Sequence, residues 1–185
     1  GYSDHKKSDN MHDVKAESPR APQKPIELIK HDHVRIDPWY WLNDREDPEV
    51  IKYLNEENDY LDAVMAHTKD LQQKLYDEMR GRIKEDDSTV PYKMDDYWYY
   101  TRYVEGGEYP VYCRKKGSLE AQEEILGDGN LLSKGHNYFS FFINAGNRHQ
   151  HIAMATDTVG RRIYHLRFRD LATQEMLPET IENVT

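Results

Sequence analysis

Between positions 48 and 83 the apolar residues return every three or four places. Val50, Ile51, Leu54, Leu61, Val64 and Met65, continued by Thr68, form one series, and Leu71, Leu75, Met79 and Ile83 form a second. This period lines up one face of a helix and leaves the other face polar. Asp47 is a good N-cap, and Pro48 suits the first helical position, where a missing N–H costs nothing. The spacing therefore predicts a helix from Pro48 to about residue 67 and a second one terminated at Gly81. Both stripes are read as packing faces. From Pro91 onward the period falls to two, and turn residues multiply. Strands are predicted over 97–104 and 109–115, joined by the turn Glu105, Gly106, Gly107, Glu108. Further strands are predicted over 123–126, stopped by Gly127, Asp128, Gly129 and Asn130, and over 138–145, 151–158 and 162–171. A last strand begins near Glu175, after a turn at 172–174. Short antiparallel strands at this density fit a sandwich, a barrel or propeller blades. A four-strand meander of about 45 residues is one blade, which favours the propeller.

Residues 1–34 carry Pro19, Pro22 and Pro25, are strongly polar and show no sustained period, so they read as an extended or disordered lead-in. The stretch that follows, RIDPWYWLNDREDPEV over 35–50, gathers two tryptophans, a tyrosine and two Asp-Pro steps. Such a concentration of large side chains needs something to pack against. The chain as a whole is poor in that material, with 37% hydrophobic and 32% charged residues among 185. Apolar area per ordered residue is scarce, which is the composition expected of a part of something larger. Much of the apolar content is aromatic, 14 Tyr and 3 Trp, and these residues suit strand faces and interfaces.

A net charge of -9, with basic residues mixed among acids, argues against nucleic acid as the main partner. Cys113 is the single cysteine, so an intrachain disulfide and a thiolate zinc set are both excluded. No apolar run is long enough to span a membrane, and the start lacks the apolar stretch of a signal peptide. The expected location is cytoplasmic, with a periplasmic one after leader removal as the alternative, since residue 1 is Gly. No metal or cofactor is expected. His31 and His33 flank Asp32 without a third ligand nearby, and a strand thiol such as Cys113 has no activating neighbour in sequence. No Ser stands in a Gly-x-Ser-x-Gly elbow. The carboxylate pairs are as frequent as 34 acids would give by chance, and the turns Glu105 to Glu108 and Gly127 to Asn130 lack the Lys and helix start of a phosphate cradle. No catalytic residue is assigned.

Four blocks in order, DPWYWLNDREDPEVIKYLNEEN, LYDEMRGRIKEDDSTVPY, YWYYTRYVEGGEYPVYCRKKGSLEAQEEIL and ATDTVGRRIYHLRFRDLATQEMLPETIENV, resemble the N-terminal third of the oligopeptidase B group of the prolyl oligopeptidase family. The similarity runs from about residue 18 to the end. It implies an N-terminal helical segment followed by an antiparallel β-meander, the first blades of a seven-bladed β-propeller, in a parent serine peptidase completed by an α/β-hydrolase domain. The implied organisation is a lead-in over 1–34, a two-helix segment over 35–84 that packs on the hydrolase domain, and about two incomplete blades over 92–185. The catalytic Ser, Asp and His of such an enzyme would lie outside this chain. The implied function is that of a non-catalytic N-terminal portion of an oligopeptidase that cleaves short peptides after Arg or Lys, contributing docking and propeller gating. Its partners would be the hydrolase domain and, for the parent, short basic peptides. Trp39, Tyr40, Trp41 and Leu42 are then the expected docking residues. The alternatives are a stand-alone aromatic-rich β binding module and an inactive truncated fragment. Two features depart from the family pattern: Ala145 to His149 replaces a Ser-Pro-Asn or Ser-Pro-Asp turn, and Gly127 and Gly129 stand where bulkier apolar residues are usual.

Overall fold

The computed structural model describes residues 16–185, so the first part of the expected lead-in lies outside the described residues. The chain divides into two compact units that meet at Arg82 and Ile83. The first unit opens with a correction. Residues read as lead-in form an antiparallel hairpin, β1 (Ile26–Lys30) and β2 (His33–Asp37), in register from Ile26 opposite Asp37 to Lys30 opposite His33. His31 and Asp32 make the two-residue turn with φ of 50° and 60°. Positive φ at both central positions is what a tight hairpin requires, and Asp and His enter that region more readily than most residues. The segment was hidden because its turn holds no glycine and its strands are flanked by prolines and charges.

A single 3-10 turn, Tyr40–Asn43, leads into α1 (Pro48–Met65). Asp47 caps that helix through a side-chain oxygen that accepts from Glu49 N at 2.8 Å, and Pro48 occupies the first turn as expected. A 3-10 turn over Ala66–Thr68 joins α1 to α2 (Lys69–Gly81). Gly81 closes the helix without adopting positive φ, and Arg82 follows in a helical conformation. Val50, at 2% exposure, is the only buried apolar residue among those described in this unit. Most of the rest of the stripe, including Leu54, Leu61, Leu71, Leu75 and Met79, is open to solvent, while Val64 and Thr68 are half-buried.

The second unit holds two four-stranded antiparallel meanders. The first is β3 (Tyr92–Met94), β4 (Tyr97–Arg102), β5 (Val111–Lys116) and β6 (Glu123–Asp128), paired in that order. The second is β7 (Ser140–Ala145), β8 (His151–Asp157), β9 (Tyr164–Asp170) and β10 (Met176–Val184). A short helix, α3 (Gly129–Leu132), separates them. Each meander is a propeller blade in outline, four strands in simple order. β3 and α3 were not foreseen, since three residues are too few for a period and the Gly127 to Asn130 stretch reads as a plain stop. β6 in fact continues through Gly127 to Asp128, and Asp128 then caps α3 by accepting from Asn130 N at 2.9 Å.

The core lies between the two sheets. Tyr99 and Leu126 from the first meet Phe139, Phe141, Ile143, Ile152, Met154 and Leu171 from the second. Alternation along β7 sends Phe141 and Ile143 inward and leaves Phe142 outside, half-exposed against Tyr164 at a ring distance of 5.6 Å. The two glycines that depart from the family pattern have a role here. A Cβ on Gly127 would fall 2.2 Å from Ile143 Cδ1, and one on Gly129 would fall 2.5 Å from Phe141 Cε1 and 2.6 Å from Tyr109 Cβ. The bare backbone is what lets the second sheet approach this closely.

The turn after β8 is built on Asp157, which accepts from Val159 N at 2.9 Å, Gly160 N at 3.0 Å and Arg162 N at 2.9 Å. These backbone bonds, that of Val159 foremost, hold its carboxyl below the ordinary value of 3.8. A carboxylate held low in the folded state stabilises it above the ordinary value, and that stability is lost as pH falls through the folded one. Asp170, held low chiefly by Thr173 N, acts in the same sense. Asp157→Asn is therefore expected to lower the melting temperature at neutral pH and to lose less on acidification. The two melting curves should converge as pH falls below the ordinary value of 3.8. Parallel curves over that range would show that Asp157 is not the titrating anchor.

Candidate functional site

The aromatic segment is shaped by local bonds. Asp37 Oδ1 accepts from Trp39 N at 2.9 Å, and Leu42 N donates to Trp39 O at 3.0 Å to close the 3-10 turn. Trp41 is held from one side, its Nε1 donating to Pro22 O at 2.9 Å and Lys24 Nζ lying 4.3 Å over its ring. Lys24 also pairs with Glu49, and its backbone N donates to Pro38 O at 2.9 Å. Residues 22–24 are thus strapped to the turn and to the start of α1. Trp41 and Leu42 are half-buried in this arrangement, whereas Trp39 and Tyr40 stay exposed at 43% and 45%. Two of the four expected docking residues are therefore part of a local cluster, and two point away from it. Trp39 and the stripes of α1 and α2 are exposed apolar groups of the first unit.

The second unit carries two polar clusters. On one face of the first sheet, Arg102 Nη2 donates to Glu123 Oε1 at 2.9 Å and Arg102 Nε to Oε2 at 3.1 Å, with the Tyr100 hydroxyl donating to the same carboxylate. The Arg102 bond holds the Glu123 carboxyl below its usual range, and burial pushes the Tyr100 hydroxyl up, reinforced by its bond to Glu123. Cys113 lies buried in the same sheet, where burial raises its thiol to about 11. A thiol so far above neutrality is a packing group and not a nucleophile.

The other cluster crosses between the sheets. His149, in the β7–β8 turn and 8% exposed, has Nδ1 2.7 Å from the Tyr99 hydroxyl and Nε2 2.8 Å from Asp95 Oδ2. Arg114 Nη1 donates to His149 O at 2.8 Å, while its Nε and Nη2 grip Glu124 at 2.6 and 3.1 Å. The Tyr97 ring stacks on the imidazole at 4.9 Å and on the Arg114 guanidinium at 4.3 Å. A carboxylate and an imidazole in this order are two parts of a hydrolytic triad. The third position, however, holds a phenol that burial pushes up, with the Arg114 guanidinium pulling the other way. The cluster joins strands and offers no nucleophile. Sequence reading singled out the turn of His149 only as a departure, because its partners lie 50 and 54 positions away. His31 and His33 belong to the β1–β2 hairpin, and no group of three or more His, Cys, Asp or Glu placed to hold a metal ion occurs among the described residues.

Comparison with known proteins places this geometry. The sequence profile described as "Prolyl oligopeptidase, N-terminal beta-propeller domain" matches residues 19–185. Dipeptidyl aminopeptidase BI of Pseudoxanthomonas mexicana is 42% identical over 91% of this chain, and Protease 2 of Moraxella lacunata is 32% identical over 90%. Among solved structures, oligopeptidase B from Leishmania major superposes with a TM-score of 0.80 at 29% identity over 91% of the chain. Oligopeptidase B from Trypanosoma brucei gives 0.78 at 28% identity over 90%. In each case the chain spans about a quarter of the relative, 26% and 25% of the two sequences and 26% of both structures. Two antiparallel four-stranded blades preceded by a two-helix unit, matched over nearly the whole chain, settle its kinship: the chain belongs to the prolyl oligopeptidase family and carries part of that family's N-terminal β-propeller domain.

Proposed function

We propose that this chain is the non-catalytic N-terminal portion of a serine oligopeptidase that cleaves short peptides after Arg or Lys. Its role is to dock on a C-terminal α/β-hydrolase domain and to supply blades of a propeller that limits access to the active site. The observation that carries this reading is the match of residues 19–185 to the family's propeller domain, joined to apolar helix stripes that stay exposed among the described residues. In the whole enzyme, acyl transfer would use an activated Ser, a His base and an orienting Asp, all supplied by the remainder. Rigid blades around a narrow channel would then admit short peptides and turn away folded proteins. Trp39, Tyr40, Trp41 and Leu42 would anchor the first unit to the hydrolase domain.

A second reading concerns the parent's mode of cleavage. The relative at 42% identity is named a dipeptidyl aminopeptidase. An enzyme of that kind needs a free amino end two residues before the scissile bond, whereas an endo-acting oligopeptidase accepts a blocked one. Both are tested by mixing the purified chain with a separately made C-terminal remainder and following fluorogenic Arg-Arg peptides with free and blocked amino ends. Activity is expected in the mixture alone, on both peptides. Cleavage of only the free peptide would favour the dipeptidyl reading, and hydrolysis by this chain alone would overturn its non-catalytic role. Trp39→Ala together with Trp41→Ala should weaken association of the two parts by at least about tenfold. Unchanged association would remove the docking role from these residues.

A further inference from the structure

We propose that Asp95, His149, Tyr99 and Arg114 form a latch that fixes the angle between the two blades, with the His149 ring in its Nε2–H form as keystone, and that a proton added at Nδ1 releases it. The latch spans three elements: Asp95 in the β3–β4 turn, Tyr99 and Arg114 on β4 and β5, and His149 in the β7–β8 turn. Asp95 and His149 both hold positive φ, 53° and 56°, a region Asp and His enter more readily than most residues, and the 2.8 Å contact between Nε2 and Asp95 Oδ2 ties the two turns together.

The direction of each bond follows from what the groups can offer. Tyr99 carries its proton, and the guanidinium beside it has only N–H groups to give. Its hydroxyl therefore donates to His149 Nδ1, which must be the bare nitrogen, and Nε2–H donates to the Asp95 carboxylate. A proton at Nδ1 turns that acceptor into a donor. The Tyr99 hydrogen then has no acceptor within this buried site, and a second cation stands near Arg114. The charged and titratable groups facing the ring are Asp95 from the β3–β4 turn, Tyr97 and Tyr99 from β4 and Arg114 from β5, with Glu124 of β6 already held by Arg114. Asp95, the one carboxylate on the ring, has a side chain 75% exposed, whereas Tyr99 is buried at 5% exposure.

The test reads the ring and its turn together in this chain. Nitrogen-15 spectra of the histidine rings, taken from about pH 8.5 to about pH 5, report the tautomer and the charge of His149. Amide exchange reports the turn that carries the ring, through His149 N bonded to Gly146 O and, where that turn meets the end of β9, Leu171 N bonded to Gln150 O. The expected result is a bare Nδ1 at high pH and, as the ring charges, a rise of about tenfold in exchange at these amides after correction for the intrinsic rate. His149→Asn, which tolerates the left-handed turn, should show raised exchange at every pH with no step. Tyr99→Phe should leave the ring titrating with the step abolished. A proton on Nδ1 at high pH would overturn the assignment. Charging without a change in exchange, or a ring that stays uncharged until the chain unfolds, would overturn the release.

Discussion

Gly129→Ala is expected to lower the melting temperature of the β unit by roughly 5 to 15 °C, more than Gly127→Ala. The order is the reverse of what the nearest distances alone would give. At Gly127 the added Cβ meets Ile143 Cδ1 at 2.2 Å, and the next atoms are 3.7 Å away. That Cδ1 is the end of a side chain and can swing to another rotamer, so the cost stays near 1 kcal/mol. At Gly129 the Cβ is caught between the ring of Phe141, at 2.5 and 2.9 Å, and the Cβ of Tyr109 at 2.6 Å. A tyrosine Cβ moves only with its backbone, and Phe141 is buried in the core. Overpacking of this kind costs about 1–3 kcal/mol, toward the upper end where neither neighbour can give way, and at the first position of the short α3 the better helix propensity of alanine returns little. Ile143→Val in the Gly127→Ala background should restore most of the lost stability, since it removes the clashing atom. No valine substitution at 143 should rescue Gly129→Ala. Thermal melts of the four variants decide the matter, and equal losses at the two glycines would refute the close-approach account.

These two glycines also show where sequence reading reached its limit. As letters they mark a stop after a strand, and they depart from the family pattern. That they make room for Phe141 and Ile143 depends on side chains that follow in the next blade, and no local period reports a contact of that kind. The helices were legible for the opposite reason. Asp47, Pro48 and the three- and four-residue spacing act within one turn of each other, and the structure begins α1 at Pro48 as expected. Apart from β3, the strands of both meanders began within a few residues of their expected starts, because alternation is equally local. The β1–β2 hairpin was missed because its turn residues, His31 and Asp32, are tolerated in left-handed geometry without being its usual signal. Composition singled out the segment of Trp39 to Leu42 and the family resemblance gave it its expected docking role, but neither can say that Trp41 faces Lys24 and Pro22 while Trp39 is exposed. The latch around His149 was out of reach, since its partners come from another blade.

Leu61→Glu and Leu71→Glu should leave the folding of this chain nearly unchanged while weakening its association with the C-terminal remainder by at least about a hundredfold. The argument turns on what surrounds the two leucines. Each is 56% exposed, on α1 and α2 respectively, so neither now contributes much buried area. Glutamate is close to leucine in helix propensity, and an exposed substitution of this kind changes stability by about 0.5 kcal/mol or less. If the stripes of both helices are covered in the whole enzyme, the same carboxylate is carried into an apolar interface without a partner, at a cost of several kcal/mol. The difference between these two environments is the whole effect. It separates two versions of docking: one in which Trp39, Tyr40, Trp41 and Leu42 bear the contact alone, and one in which the helices share it. Under the first, the glutamate variants associate normally and the tryptophan variants do not; under the second, both fail. Circular dichroism of the free chain guards the reading, because the prediction requires helix content to stay as it is while binding is lost.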